Sequence, residues 1–561
     1  MIKDDRTILP SDIWALPIEG GRVVISPKNI EQIAVRDFCR IEFHLHYFGM
    51  AGLIATHVLV ARIVGRSASI TNRSVRHPAQ LPEHLLHSPK TSSSESRFLR
   101  LHNLDNESLT RATQPDAVRN ILTYIAVGAC FTSEEADMFA NMESTLDQTH
   151  SPFPVRVLNR WGRWVDGTSL DFPHISPEHL IADAQRHCGL DDFGEDDFVE
   201  PLSRLVKSCV EEGRLNLIGK FAFRSDLFRT LCNRLLIQRD RQIFPKISRQ
   251  QIKEPLFIVG LPRSGTTLLH TLLACDPNHR APLTWEVMQP SPPSHDGRRQ
   301  RARRAAINLG CLRWLAPTFR QVHAIGAELP QECVSLMSPS FMSDQFDTMY
   351  YVPSYRTWFL KQDLLPAYRY HRRFLQHLQQ RQRARRWVLK APAHMFALPA
   401  LLSTYPDARF VQTHRDPLQA ITSVSSLIAI LRRVFSDAVD PFQIGRDAIR
   451  YWSETLLAFL QERDRFLRGR ICDLHYSEIR RDPITAIRRV YRYFGWSLSL
   501  EAERRMRVAL SNQPREQHGS HRYNAAQFGL DTALEADCFT AYCDRFGLTS
   551  ATRIVQAERA A

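Results

Sequence analysis

Pro255–Cys275 reads PLFIVGLPRSGTTLLHTLLAC, and the fold is decided there. Leu256-Phe257-Ile258-Val259 is an unbroken apolar run of the length of a buried strand. Gly260 and Gly265 then frame a short loop, Leu261-Pro262-Arg263-Ser264, and a helical apolar pattern starts after Thr266-Thr267. Strand, glycine-bounded loop and helix together form a cradle for a phosphate. Loop amides and the helix N-terminus converge on one point, and the helix dipole favours an anion there.

Nucleoside triphosphatases write this loop as G-x-x-x-x-G-K-[ST]. Here the glycine frame is kept, but Thr266 stands at the lysine position and the positive charge moves into the loop as Arg263. A triphosphatase uses its lysine and a Mg²⁺ to manage the β- and γ-phosphates. A loop without that lysine suits a less charged group in transfer, such as a sulfuryl. The plainer alternative is an ordinary strand–turn–helix.

Outward from the loop, strands recur. Trp387-Val388-Leu389 ends at Lys390, Arg409–Thr413 ends at His414-Arg415-Asp416-Pro417, and Ile471–His475 ends at Tyr476. Each is followed by a helical pattern, which predicts an α/β fold with a mostly parallel sheet. Ligands of such sheets sit at the carboxyl ends of the strands, where Arg263, Lys390, Arg415 and Tyr476 all fall. Asp416-Pro417 also reads as a helix N-cap followed by proline at the first helical position.

Before the loop, Ser176-Pro177-Glu178-His179 has the composition of a helix start, and helices are expected to about Arg241. The expected organisation is an N-terminal region 1–175, mainly helical and of unassigned role, and a domain 176–555. The domain has a helical lead-in at 176–245 and an α/β core at 246–549. Within the first region, helical patterns lie at 29–64 and 115–146, and Pro152, Pro154 and Pro173 suggest an extended connector. Tyr47–Val64 is largely apolar but carries His57 and Arg62. It reads as a buried or amphipathic helix, leaving room for peripheral membrane contact.

Length and composition set the outer limits. The 561 residues are enough for several domains, and 43% hydrophobic with 24% charged residues is the balance of a soluble globular protein. The net charge of +14 comes mostly from arginines scattered over helices. That pattern predicts a solvated surface with an anion site, not a nucleic-acid partner. The run Arg298–Arg304 reads as a solvated helix face. Eleven cysteines with no C-x-x-C pair argue against zinc-type sites and for reduced thiols in a cytoplasmic protein. Met1–Arg6 has acids and no apolar core, unlike a secretory signal.

With these motifs in order, residues 176–549 resemble the sulfotransferases that use 3′-phosphoadenosine 5′-phosphosulfate (PAPS), and among them the bacterial branch with a long helical lead-in. The resemblance implies a P-loop-like three-layer α/β fold and 3′,5′-adenosine diphosphate as product, with no metal. It implies that Arg263, Ser264, Gly265, Thr266 and Thr267 grip the 5′-phosphate. Arg415 and, eight residues on, Ser423 would hold the 3′-phosphate. Lys390 would meet the oxygen bridging sulfur and phosphate, and Tyr476 would help hold the adenine. The segment His518–Tyr523 resembles the closing loop, with Arg522 capping the 3′-phosphate, although the Arg-Lys-Gly of the cytosolic animal branch is missing.

For the general base the resemblance leaves alternatives. Glu286 follows the loop helix, where the tyrosyl-protein branch places its glutamate. His394 lies four residues past Lys390, a departure from the K-x-H spacing of the cytosolic branch. His323, Glu328 and Glu332 are further candidates. The acceptor is expected to be a small molecule with a hydroxyl, an amine being second. Trp314, Phe319, Tyr350, Tyr351, Tyr355 and Trp358 are available as apolar walls for a lipid-like group. A P-loop kinase and a non-catalytic nucleotide-binding scaffold are the rival readings.

Overall fold

The structure is a computed structural model that describes residues 18–19, 22–23, 153–166, 173–292, 297–315, 326–380, 385–512, 524–531 and 534–548. The expected helices at 29–64 and 115–146, and Phe319, His323 and Arg522, lie outside the described residues. The chain divides into two compact units, Met1–Pro82 and Glu83–Ala561. In the first, β1 (Ile18–Glu19) pairs antiparallel with β2 (Arg22–Val23).

In the second unit, the expected extended connector is instead a helix, α1 (Phe153–Asp166). Pro154 lies in its first turn, where a missing N–H costs nothing, so the proline does not break it. The lead-in follows as α2 (Pro177–Cys188), α3 (Val199–Glu212) and the long α4 (Leu217–Ile243). Ser176 caps α2 as its sequence suggests: its Oγ accepts from the His179 amide at 3.2 Å. Asn216 does the same for α4, accepting from Gly219 N at 2.8 Å.

Buried arginines tie the lead-in together. Arg224 of α4 pairs with Asp183 of α2 at 2.8 Å. Arg234, further along α4, donates to the carbonyls of Phe193 and Pro339 and to Asp197 at 2.7–3.0 Å. These arginines are internal struts, contrary to the expectation that the arginines are surface charge. Arg301 departs from it too. It is buried, donates to the Gln289 and Pro292 carbonyls at 3.1 and 2.8 Å, and lies over the Trp285 ring.

The core is a five-stranded parallel sheet in the order β4–β5–β3–β6–β7. Here β3 is Leu256–Gly260, β4 His279–Arg280, β5 Arg386–Lys390, β6 Arg409–His414 and β7 Ile471–His475. Four of the five match strands read from the sequence. The two-residue β4 is too short to leave a periodic signal.

Every residue of β3 is buried, which explains its unbroken apolar run: a parallel sheet covered on both faces has no polar side. On one face Leu256 and Ile258 pack with Val388 and Val411 against α5 (Thr266–Leu273), α10 (Tyr476–Arg481), α11 (Pro483–Tyr493) and α12 (Leu500–Ser511). On the other, the Phe257 ring meets His394, Tyr405 and His371 at 4.9–6.4 Å. His371 comes from α7 (Leu365–Gln379). Each such buried side chain contributes roughly 1.5–3 kcal/mol. Helix, sheet and helix give the three-layer α/β architecture expected.

Helix α8 (Pro417–Phe435) follows β6, and α9 (Pro441–Phe466) follows α8. Asp416 caps α8, accepting from the Leu418 amide at 3.0 Å, with Pro417 at its first position. Although α8 is long and apolar enough to cross a membrane, 78% of its apolar window is buried inside the domain, as suits a core helix.

Candidate active site at the carboxyl edge of the sheet

The loop between β3 and α5 is held by close packing on β6. Gly260 has φ +129°, and a Cβ there would sit 2.5 Å from both the carbonyl oxygen and Oγ1 of Thr413. Only glycine fits. Thr413 Oγ1 in turn lies 2.6 Å from Ser264 Oγ, which also donates to the Leu261 carbonyl. Ser264 is 0% exposed, so its hydroxyl serves the loop itself. Arg263 has φ +68°, a left-handed backbone that is strained for a residue with a side chain. Its carbonyl is turned toward Arg415, whose guanidinium donates to it at 2.7 Å.

Four residues expected to bind one nucleotide, Arg263, Arg415, Ser423 and Tyr476, thus meet here. Arg263 Nε donates to Ser423 Oγ of α8 at 3.3 Å. The Arg415 guanidinium lies over the Tyr476 ring, 4.5 Å from its centroid. Tyr476 also flanks the start of α5: a Cβ on Gly265 (φ +89°) would lie 3.2 Å from its Cδ2. The Arg415 Nε is buried and has no hydrogen-bond partner among the described residues.

Lys390 ends β5 one strand away and is 3% exposed. Its ammonium donates to Thr267 Oγ1 of α5 at 3.3 Å and to the carboxylate of Glu332. Arg263, Arg415 and Lys390 therefore gather where β3, β6 and β5 end, around the N-terminus of α5. Thr266 is buried in that first turn.

The two candidate bases named first are engaged by other groups. Glu286 in α6 (Thr284–Met288) is 7% exposed and both carboxylate oxygens are engaged. Oε1 accepts from Arg280 at 2.8 Å, and Oε2 accepts from the Leu283 amide at 3.0 Å as a helix-capping contact. His394 is 1% exposed, with Nδ1 2.7 Å from the Tyr368 hydroxyl and its ring edge-on to Phe257. Burial holds its pKa well below the usual imidazole value, with the neighbouring His371 adding to the shift. Both read as structural groups in their contacts. Of the expected apolar walls, Tyr350 and Tyr355 are buried in the helical core and are not available as a surface.

The sequence reading missed the support behind Arg415. His414 is buried between the Tyr542 hydroxyl at 2.8 Å and Asp473 Oδ1 at 2.8 Å, and its ring stacks on Phe546. Asp473 also takes two bonds from Arg463 of α9, each at 2.9 Å. Burial alone would raise the Asp473 pKa. The hydrogen bonds from His414 and Arg463, with their charges, carry it well below the carboxylate range. No local sequence signal joins residues 414, 463, 473 and 542.

Comparison with known proteins agrees with this geometry. A family model described as the sulfotransferase family matches residues 255–499. The crystal structure of sulfotransferase STF1 from Mycobacterium tuberculosis is 33% identical, with a TM-score of 0.59, covering 65% of this chain and 99% of that one. Sulfotransferase STF9 from Mycobacterium avium is 26% identical over 68% of this chain and 99% of that one, also with a TM-score of 0.59. Among curated proteins, the omega-hydroxy-beta-dihydromenaquinone-9 sulfotransferases Stf3 of Mycobacterium bovis and Mycobacterium tuberculosis are 27% identical over 261 residues. That match spans 43% of this chain and 62% of theirs. By motif order, sheet topology and overall likeness, the chain belongs to the sulfotransferase family.

Proposed function

We propose that this protein transfers a sulfuryl group from PAPS to a hydroxyl on a lipid-like acceptor. The observation that carries the donor assignment is the convergence of Arg263, Arg415 and Lys390 on the start of α5. Two guanidiniums at one sheet edge suit a nucleotide that carries more than one phosphate, since guanidinium matches phosphate geometry. The loop amides and the first turn of α5 take the 5′-phosphate, with Thr266 and Thr267. Arg415 and Ser423 take the 3′-phosphate, and the Tyr476 ring lies against the adenosine. Lys390 sits where charge builds on the leaving oxygen, so it stabilises the transition state more than the ground state.

The acceptor class is supported by the curated relatives, which are named for sulfation of an omega-hydroxylated menaquinone. The described cysteines are free thiols, which supports work in the reducing cytoplasm. Incubation of the full chain with PAPS and a short-chain ω-hydroxy prenylquinone, followed by mass spectrometry, tests the reading. The expected product is the quinone sulfate together with one equivalent of 3′,5′-adenosine diphosphate. Phosphorylated quinone from ATP, with none sulfated from PAPS, would overturn it in favour of a kinase.

A further inference from the structure

We infer that Glu332 is the catalytic base, the group that takes the acceptor's proton during sulfuryl transfer; this rests on the sulfotransferase reading above. Its carboxylate is in direct contact with the Lys390 ammonium, which also touches Thr267 in the first turn of α5. It therefore stands one side chain away from the leaving-oxygen site. With its side chain 23% exposed, it has access to an incoming molecule, unlike the buried Glu286 and the enclosed His394.

The backbone that carries Glu332 is fixed. The Gln331 amide donates to the Pro282 carbonyl at 2.7 Å, and the Thr284 amide donates to the Leu329 carbonyl at 3.0 Å. Glu332 then precedes the short helix Cys333–Met337, whose first residue is buried against the Lys390 backbone. A carboxylate on rigid support at this edge holds a proton acceptor in register with the reacting atoms. Its neighbours are Lys390 from β5, His270 from α5, the thiol of Cys333, and Asp344. Burial lowers the His270 pKa to about 3, and Lys390 is a cation in contact with Glu332.

The step balances as follows. The acceptor oxygen forms its bond to sulfur as the bond from sulfur to the bridging oxygen breaks. That electron pair stays on the 5′-phosphate oxygen beside Lys390, and the hydroxyl proton moves to a carboxylate oxygen of Glu332. The Lys390–Glu332 ion pair holds the two side chains together at this edge.

The test compares wild type, Glu332→Gln and Glu332→Asp as full chains. Transfer from PAPS to an ω-hydroxy prenylquinone and to water is followed across pH, and 3′,5′-adenosine diphosphate affinity is measured by calorimetry. Glu332→Gln is expected to lower kcat by about 10²- to 10⁴-fold, abolish the acidic limb of the pH profile and leave nucleotide affinity within about threefold. Glu332→Asp should recover part of the rate and keep the limb. Unchanged kcat in Glu332→Gln, or a loss of kcat matched by an equal loss of nucleotide affinity, would overturn the assignment; the second would mean that Glu332 only positions Lys390. If wild type binds no 3′,5′-adenosine diphosphate and transfers to neither acceptor, the sulfotransferase reading itself fails, and this inference with it.

Discussion

Single residues at the phosphate loop show how little freedom the site has. Gly260 is the tightest: β6 approaches so closely that no side chain can stand there, and its φ of +129° is foreign to other residues. Gly260→Ala should lose roughly 1–3 kcal/mol of stability through backbone strain and collision with Thr413, read as a lower denaturant midpoint at constant m-value. An unchanged midpoint would mean the loop is not pinned to β6. This constraint was legible in part. The sequence displays the glycine frame, but not that Ser264 and Thr413 close it through their hydroxyls. The same limit applies to the candidate bases. The family resemblance brought Glu286 and His394 forward, yet Arg280, six residues from Glu286, and Tyr368, 26 residues from His394, engage them. Glu332 could only be ranked after the fold placed it on Lys390, 58 residues away in sequence.

At the level of elements, the edge that presents Arg415 depends on β6, β7, α9 and the C-terminal helix Thr540–Phe546 meeting at one polar junction. Asp473 is its centre, bonded to His414 and Arg463 while a third of its side chain remains exposed. Asp473→Asn should cost about 1–2 kcal/mol, toward the low side for charged hydrogen bonds because of that exposure. The pH dependence has a definite sign. The folded-state pKa of Asp473 is depressed, so its contribution is fully present above the unfolded carboxylate value of about 4 and is lost as pH falls below it. The wild-type minus variant stability difference, measured by urea unfolding, should therefore shrink between pH 5 and the acid limit. A difference that stays constant over that range would contradict the junction. The strands and their capped helices were readable because each carries a local signal: an apolar run, then Asp416-Pro417 or Ser176-Pro177. The junction was not, because its members share no spacing.

On the scale of the whole molecule, charge is the property most changed by folding. The net +14 suggests a uniformly basic surface, yet Arg224, Arg234, Arg280, Arg301, Arg432 and Arg463 are buried. Five of these pair with Asp183, Asp197, Glu286, Asp347 and Asp473. What remains in the site is a small set of cations at one sheet edge. The three-layer architecture was legible because a sheet buried on both faces needs apolar strands, which stand out in a chain otherwise rich in arginine. α1 was misread as extended because its prolines lie at or before the first turn, where they begin a helix. In the proposed function this edge binds a nucleotide through both its 5′- and 3′-phosphates. Calorimetry of 3′,5′-adenosine diphosphate, 5′-AMP and ATP, without Mg²⁺, on wild type and Arg415→Ala tests it most directly. 3′,5′-Adenosine diphosphate is expected to bind tightest, and Arg415→Ala to weaken it by at least about 2 kcal/mol, roughly thirtyfold, while 5′-AMP loses much less. Equal affinity for 3′,5′-adenosine diphosphate and 5′-AMP, or a preference for ATP, would contradict it.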